Sequence, residues 1–174
     1  MNVPALETSR LILRGPKLSD FDVYAAQGAD PAFMRHMGDG GLRSEEDSWS
    51  SFLRMVGTWQ LLGYGSWIIE DRQSGAFVGN VGYIQRKRDR GPDLRDLPEM
   101  GWGIASEFAG KGYATEAVMA ALQWGRENLG PVRVTALTSE DNIASIRVAE
   151  KCGFRVFRRG LSAGRQRIFF DRIL

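Results

Sequence analysis

Cysteine and histidine are almost missing from this chain: its 174 residues contain one of each, Cys152 and His36. A single cysteine excludes an internal disulfide, and the pair together excludes a metal site of the Cys/His kind, so no metal is expected. Long apolar runs are lacking too. No stretch approaches the roughly 18 consecutive apolar residues of a membrane span, and the opening MNVPALETSR has no signal-peptide core, so a cytoplasmic protein without membrane contact is expected. Neither charge sign dominates, since 23 basic residues face 21 acidic ones for a net charge of +2. Nucleic acid is therefore not an indicated partner, although a pI of 8.9 leaves room for local basic patches. No repeat, low-complexity tract or linker divides the sequence, and its length fits one domain over residues 1–174. The 43% hydrophobic and 25% charged content is that of a globular protein.

What the chain does have is a stretch, from Glu99 to Asn128, that joins an apolar strand to an amphipathic helix through the turn Gly110-Lys111-Gly112. After the turn, small or apolar residues recur at Ala114, Ala117, Val118, Ala121, Leu122 and Gly125, the spacing of one helical face. A helix starting at such a turn presents free N–H groups at its positive dipole end, which predicts an anion site.

Elsewhere the pattern predicts a first strand within Leu6 to Arg14, then a helix starting at Ser19-Asp20 and stopping by Gly28. Residues 32–41 read as irregular. A helix capped by Ser44 and fronted by Glu45, Glu46 and Asp47 follows, with Trp49, Phe52, Leu53 and Val56 expected on its buried face. Trp49, Trp59 and Trp67 are assigned to the core. Ser66 to Glu70 and Ala76 to Ile84 read as a hairpin, and Arg86 to Pro98 as a long, charged, exposed loop. Within that loop Arg86, Lys87, Arg88 and Arg90 read as a solvated cluster. After the central stretch come a strand from Val132 to Leu137, a helix from Asn142 to Lys151, and strands from Phe154 to Arg158 and Arg165 to Ile173. Strands mixed with single helices argue for an α+β or mixed α/β sheet rather than a doubly wound parallel one.

The glycine turn fails two nucleotide fingerprints. Six residues separate Gly103 from Gly110 where a P-loop has four, and Gly112 stands where Ser or Thr would hold magnesium. The dinucleotide pattern lacks its third glycine or alanine after Gly101-Trp102-Gly103. Three blocks in order carry a different resemblance: LETSRLILR from Leu6, EMGWGIASEFAGKGYATEA from Glu99, and N-x-x-S-x-x-x-A-E-K-x-G-F from Asn142. With them the chain resembles the GNAT superfamily of acyl-CoA-dependent N-acetyltransferases, in its ribosomal-protein-alanine (Rim-type) branch.

The resemblance implies a central mixed, mostly antiparallel sheet of about seven strands, splayed between the fourth and fifth, with about four flanking helices. It implies acetyl-CoA as cosubstrate and a primary amine as acceptor, either a protein N-terminal α-amine or a small molecule, with a homodimer among the possible assemblies. Trp102, Gly103 and Ile104 match the strand that lines pantetheine, the Ile104 N–H being the oxyanion donor. Gly110, Lys111, Gly112, Tyr113, Ala114 and Thr115 match the pyrophosphate turn. Glu107 stands where the family often has Gln or Arg, and Ser106 and Ala109 replace a frequent Pro and Trp.

An amine attacks only as free base, which costs roughly 4.6 kcal/mol at pH 7 for a lysine-like amine and about 1 for an α-amine. Glu99 matches a glutamate of this branch and could take the proton directly or through water. Asn142 and Ser145, three apart at a helix start, could orient a water or donate to the departing thiolate, with helix capping as their ordinary alternative. No tyrosine follows the Asn142 helix to act as acid. Cys152, with no neighbouring histidine, reads as a buried apolar residue rather than an acyl carrier, and His36 as a packing or surface residue. Direct transfer in a ternary complex is the expected mechanism, and a non-catalytic acyl-CoA-binding module is the alternative.

Overall fold

Alternation along Ser66–Asp71 sets the layers: Trp67 and Ile69 face one side of a sheet and Ile68 the other, all three fully buried. In the computed structural model, residues 3–38, 40–85, 87, 94–162 and 164–174 are described. The strands are β1 (Leu6–Glu7), β2 (Leu11–Arg14), β3 (Ser66–Asp71), β4 (Phe77–Ile84), β5 (Glu99–Ile104), β6 (Arg133–Ser139), β7 (Arg155–Ser162) and β8 (Arg165–Ile173). They form one sheet in the order β1-β2-β3-β4-β5-β6-β8-β7. Every neighbouring pair is antiparallel except β5 and β6, which run parallel.

Five α-helices are described: α1 (Phe21–Gly28), α2 (Pro31–Met34), α3 (Glu45–Leu62), α4 (Tyr113–Asn128) and α5 (Ile143–Lys151). The expected stripe of α4 is its buried face, where Ala117, Val118, Ala121 and Leu122 meet Trp67, Ile69, Val81 and Tyr83. Trp124 closes that layer edge-to-face against Trp59 and Trp67. On the opposite side Tyr24 of α1 and Phe52 and Met55 of α3 pack on Ile68.

The mixed, mostly antiparallel architecture matches the expectation, with an eighth strand and a fifth helix added. The first segment divides because Thr8 turns the chain, its N–H donating to the Leu11 carbonyl at 2.9 Å. The stretch read as irregular begins with α2, where Asp30 accepts from the Ala32 N–H at 2.9 Å and Pro31 occupies the first turn. Asp20 does not cap α1 through its side chain. Its carboxylate instead takes the Lys17 N–H at 2.7 Å and a two-pronged bond from Arg14 at 2.8 and 2.9 Å.

Ser44 caps α3 as expected, yet the buried face of that helix is Ser48, Ser51, Phe52, Met55 and Trp59. Trp49, Leu53 and Val56 are exposed, so the predicted face, and Trp49 as a core residue, are corrected. β7 continues to Ser162 rather than ending near Arg158. Of the expected charged loop, residues 86, 88–90 and 91–93 lie outside the described residues; Lys87 pairs with Asp96, while Leu94 is fully buried and so departs from the exposed reading.

Candidate active site

The parallel junction between β5 and β6 is brief. Glu99 pairs with Thr135, and the Thr135 N–H donates to the Pro98 carbonyl at 3.0 Å. Beyond that point Gly101 to Ile104 are in register with β4 alone. A cleft therefore opens alongside Trp102, Gly103 and Ile104, the residues expected to line the pantetheine arm.

The glycine turn stands at the end of this strand. Gly110 and Gly112 have φ of 76° and 82°, a left-handed conformation that side chains resist, and Gly112 directly precedes the first turn of α4. A brace fixes the turn to the β1–β2 hairpin. Glu116 accepts from the Thr8 hydroxyl at 2.6 Å, the Arg10 N–H at 3.1 Å and the Arg10 Nε at 2.7 Å, and Arg10 Nη1 reaches the Lys111 carbonyl at 2.9 Å. Burial pushes the Glu116 carboxyl upward, but the Thr8 and Arg10 bonds outweigh it and hold the group below its usual range. Its charge is thus matched by Arg10 at the end of a helix that otherwise favours anions. The Tyr113 hydroxyl donates to Asp71 at 2.9 Å, a bond that raises the phenol above its ordinary value and ties α4 to β3. Lys111 lies over the Phe108 ring at 5.4 Å, and Ala114 and Thr115 complete the first turn.

At the mouth of the cleft is a cavity of about 120 Å³. Glu99, Trp102, Asn142 and Ser145 line it together, so residues of two distant sequence blocks meet in one space. Glu99 is 5% exposed, a buried carboxylate although it directly follows the charged loop. Asn142 Oδ1 accepts the Ser145 N–H at 3.1 Å, an N-cap bond. The capping alternative is therefore real, and both residues line the cavity while making that bond. Gly110 to Thr115 are not among its lining residues.

Two residues of the cavity were missed. His36 lines it, with Nδ1 3.5 Å from Asp141 Oδ1, a position compatible with the packing role. Arg167 of β8, 3% exposed, donates to the Ser139 hydroxyl at 3.0 Å and to the Gly38 carbonyl. Neither carries a local sequence signal, because each reaches the cavity only through the tertiary fold. Cys152 is buried as expected, its thiol pushed up to about 11 by desolvation. Among the described residues no group of three or more His, Cys, Asp or Glu side chains gathers as a metal site, and no helix is long and apolar enough to cross a membrane.

A mixed sheet parted after one residue pair, with a glycine-started helix at one end of the gap and a buried carboxylate at the other, has the architecture that the resemblance implied for an acyltransferase. The chain belongs to the GNAT family, whose acetyltransferase domain model matches residues 10–155. Membership makes it an acyltransferase of the acetyl-transferring kind. The Bacillus subtilis protein YkkB is 38% identical over 93 residues, 52% of each chain, so this chain spans about half of that relative. A GnaT-family acetyltransferase from Bordetella pertussis has the same fold at 29% identity, with a TM-score of 0.87 over 98% of this chain and 99% of its own. RimL, a ribosomal L7/L12 α-N-protein acetyltransferase whose structure holds coenzyme A, shares the fold at 16% identity, with a TM-score of 0.79 over 98% of both chains.

Proposed function

We propose that the chain transfers the acetyl group of acetyl-CoA to a primary amine, a protein N-terminal α-amine or that of a small molecule, by direct attack with both substrates bound. The observation that carries this reading is the parting of β5 from β6 after the single pair Glu99–Thr135, with a cavity lined by Glu99, Trp102, Asn142 and Ser145 beside it. Acetyl-CoA supplies an activated acyl thioester. The chain supplies the rest. Gly110 to Thr115 would hold the diphosphate through backbone N–H groups at the start of α4, and Trp102 to Ile104 would line the pantetheine arm.

Glu99 would accept the ammonium proton, either directly or through a water, and its burial places that proton transfer away from bulk solvent. The Ile104 N–H would face the carbonyl oxygen as charge builds there. The Asn142 amide and Ser145 hydroxyl, on the same cavity wall, would hydrogen-bond the departing sulfur or orient a water to it. A relay through Cys152 is disfavoured, since its thiol stays protonated at neutral pH and its Sγ contacts the Thr115 carbonyl at 3.8 Å.

The deciding experiment is a panel of amines and N-terminal peptides with acetyl-CoA, read by thiol release. Acetylation of at least one acceptor is expected. CoA binding without transfer to any acceptor would replace this reading by an acyl-CoA-binding module.

A further inference from the structure

A second cavity, of about 80 Å³, adjoins the first and shares Met37, Ile84, Gly101 and Trp102 with it as walls. The two form one groove that passes the edge of β5. The second cavity leads away from Glu99 toward Tyr24 of α1 and Ser51, Arg54, Met55 and Thr58 of α3, and on the transferase reading it is the acceptor's side. Its lining contains two charged residues, Arg43 and Arg54, and no Asp or Glu among the described residues.

This lining is built rather than incidental. Ser51, Arg54, Met55 and Thr58 line the cavity at helical spacing, so one face of α3 is turned to it. Arg43, half-buried just before α3, donates from Nη1 to the Tyr24 hydroxyl at 3.1 Å. That hydroxyl in turn lies 3.0 Å from the buried Ser51 Oγ. The Tyr24 hydroxyl holds the Arg43 guanidinium without neutralising it; the exposed Asp47 carboxylate, committed to the Ser44 cap, interacts with Arg43 electrostatically without forming an ion pair. No ion pair between a described carboxylate and Arg43 or Arg54 accompanies these bonds. Two like charges on one small cavity repel, and a planar guanidinium is the group best matched to a carboxylate or phosphate. The other polar lining groups, Asn80, Gln85 and Ser66 among them, are neutral.

We infer that the acceptor is an anionic amine: one that carries a carboxylate or phosphate which Arg43 and Arg54 hold while its amino group reaches the cavity of Glu99. The inference rests on the transferase reading and narrows its substrate class. A peptide with an acidic side chain beside its N-terminus and a small amino acid or phosphorylated amine share this chemistry.

The test uses two matched acceptor sets with the full chain and acetyl-CoA. One set is tripeptide amides differing only in Glu, Gln or Lys at the second residue; the other is small primary amines paired as the carboxylate and its primary amide. At least one set should show a tenfold or greater preference in kcat/KM for the anionic member, and which set does so identifies the source of the anion. Arg54→Gln, on an exposed helix position, should reduce that preference below threefold through KM, and Arg54→Glu should turn it toward the Lys peptide. Equal use of all members, or a preference that survives both Arg54→Gln and Arg43→Gln, overturns the inference. Calorimetry with CoA-saturated protein separates the two readings. Anionic amines that bind the wild type and not Arg54→Gln, yet are never acetylated, would sustain the anion site and sink the transferase reading; absence of binding by every anionic member would overturn the site itself.

Discussion

Glu99 is where burial and chemistry meet in one side chain. Its replacement by Gln keeps shape and volume but removes the capacity to take a proton. General-base contributions run at about 10²–10⁴-fold, so Glu99→Gln should lower kcat at pH 7 by about 100-fold or more while coenzyme affinity stays within about twofold. Steady-state kinetics beside a CoA titration would check this, and unchanged kcat would remove Glu99 from the mechanism. Asp20 is a second residue whose surroundings make a measurable claim. Burial pushes its carboxyl upward, but the Arg14 bonds and the Lys17 N–H outweigh that and leave it below its ordinary range. A depressed carboxyl stabilises the fold above the unfolded value, near pH 3.9, and loses that contribution as pH falls toward the folded value. Asp20→Asn should cost about 1–3 kcal/mol at pH 7 through the lost charge-assisted bonds to Arg14, which keeps its bond to Glu70 at 2.7 Å. The gap from wild type should narrow below about pH 4, as urea unfolding at several pH values would show.

Helices and strands account for what could and could not be read ahead. The α4 stripe, the hairpin of β3 and β4, and the Asn142 block were legible because each is a local pattern of spacing or capping. The α3 face was not. Its buried stripe includes Ser48 and Ser51, small polar residues that a hydrophobic period passes over, and Ser51 is buried because Tyr24 gives it a hydrogen-bond partner. The site divides in the same way: Glu99 and Asn142 sit in recognisable blocks, whereas His36, Arg43, Arg54 and Arg167 belong to no local motif and reach a cavity only through packing. Close approach of α4 to β4 was equally hidden. A Cβ on Gly125 would fall 1.9 Å from the Tyr83 hydroxyl oxygen, which donates to the Ala121 carbonyl at 3.0 Å. Gly125→Ala should therefore destabilise by about 1–3 kcal/mol despite its better helix propensity. Adding Tyr83→Phe should recover part of that loss, so the double mutant is more stable than the sum of the singles predicts.

At the scale of the molecule, the sheet is two antiparallel halves, β1 to β5 and β6 to β8, joined by the one-pair junction of Glu99 with Thr135. The helix that begins at the glycine turn belongs to the first half, and Asn142 and Ser145 follow the last strand residue on β6 of the second. A ligand lying in the gap touches both halves and so should stabilise the whole sheet rather than one element. At a free CoA concentration 100 times Kd, linkage gives about 2.7 kcal/mol of added stability. For a chain of this size that corresponds to a rise in Tm of about 5–10 °C. Glu99→Gln should show the same rise, because the proposed site puts the carboxylate beside the acyl group and away from the phosphates. ATP at the same concentration should give less, since the glycine turn departs from P-loop spacing and ATP has no pantetheine arm to fill the space beside Trp102. A Tm unmoved by CoA would mean that the opening between β5 and β6 is not a coenzyme site, and the proposed chemistry at Glu99 would lose its acyl donor.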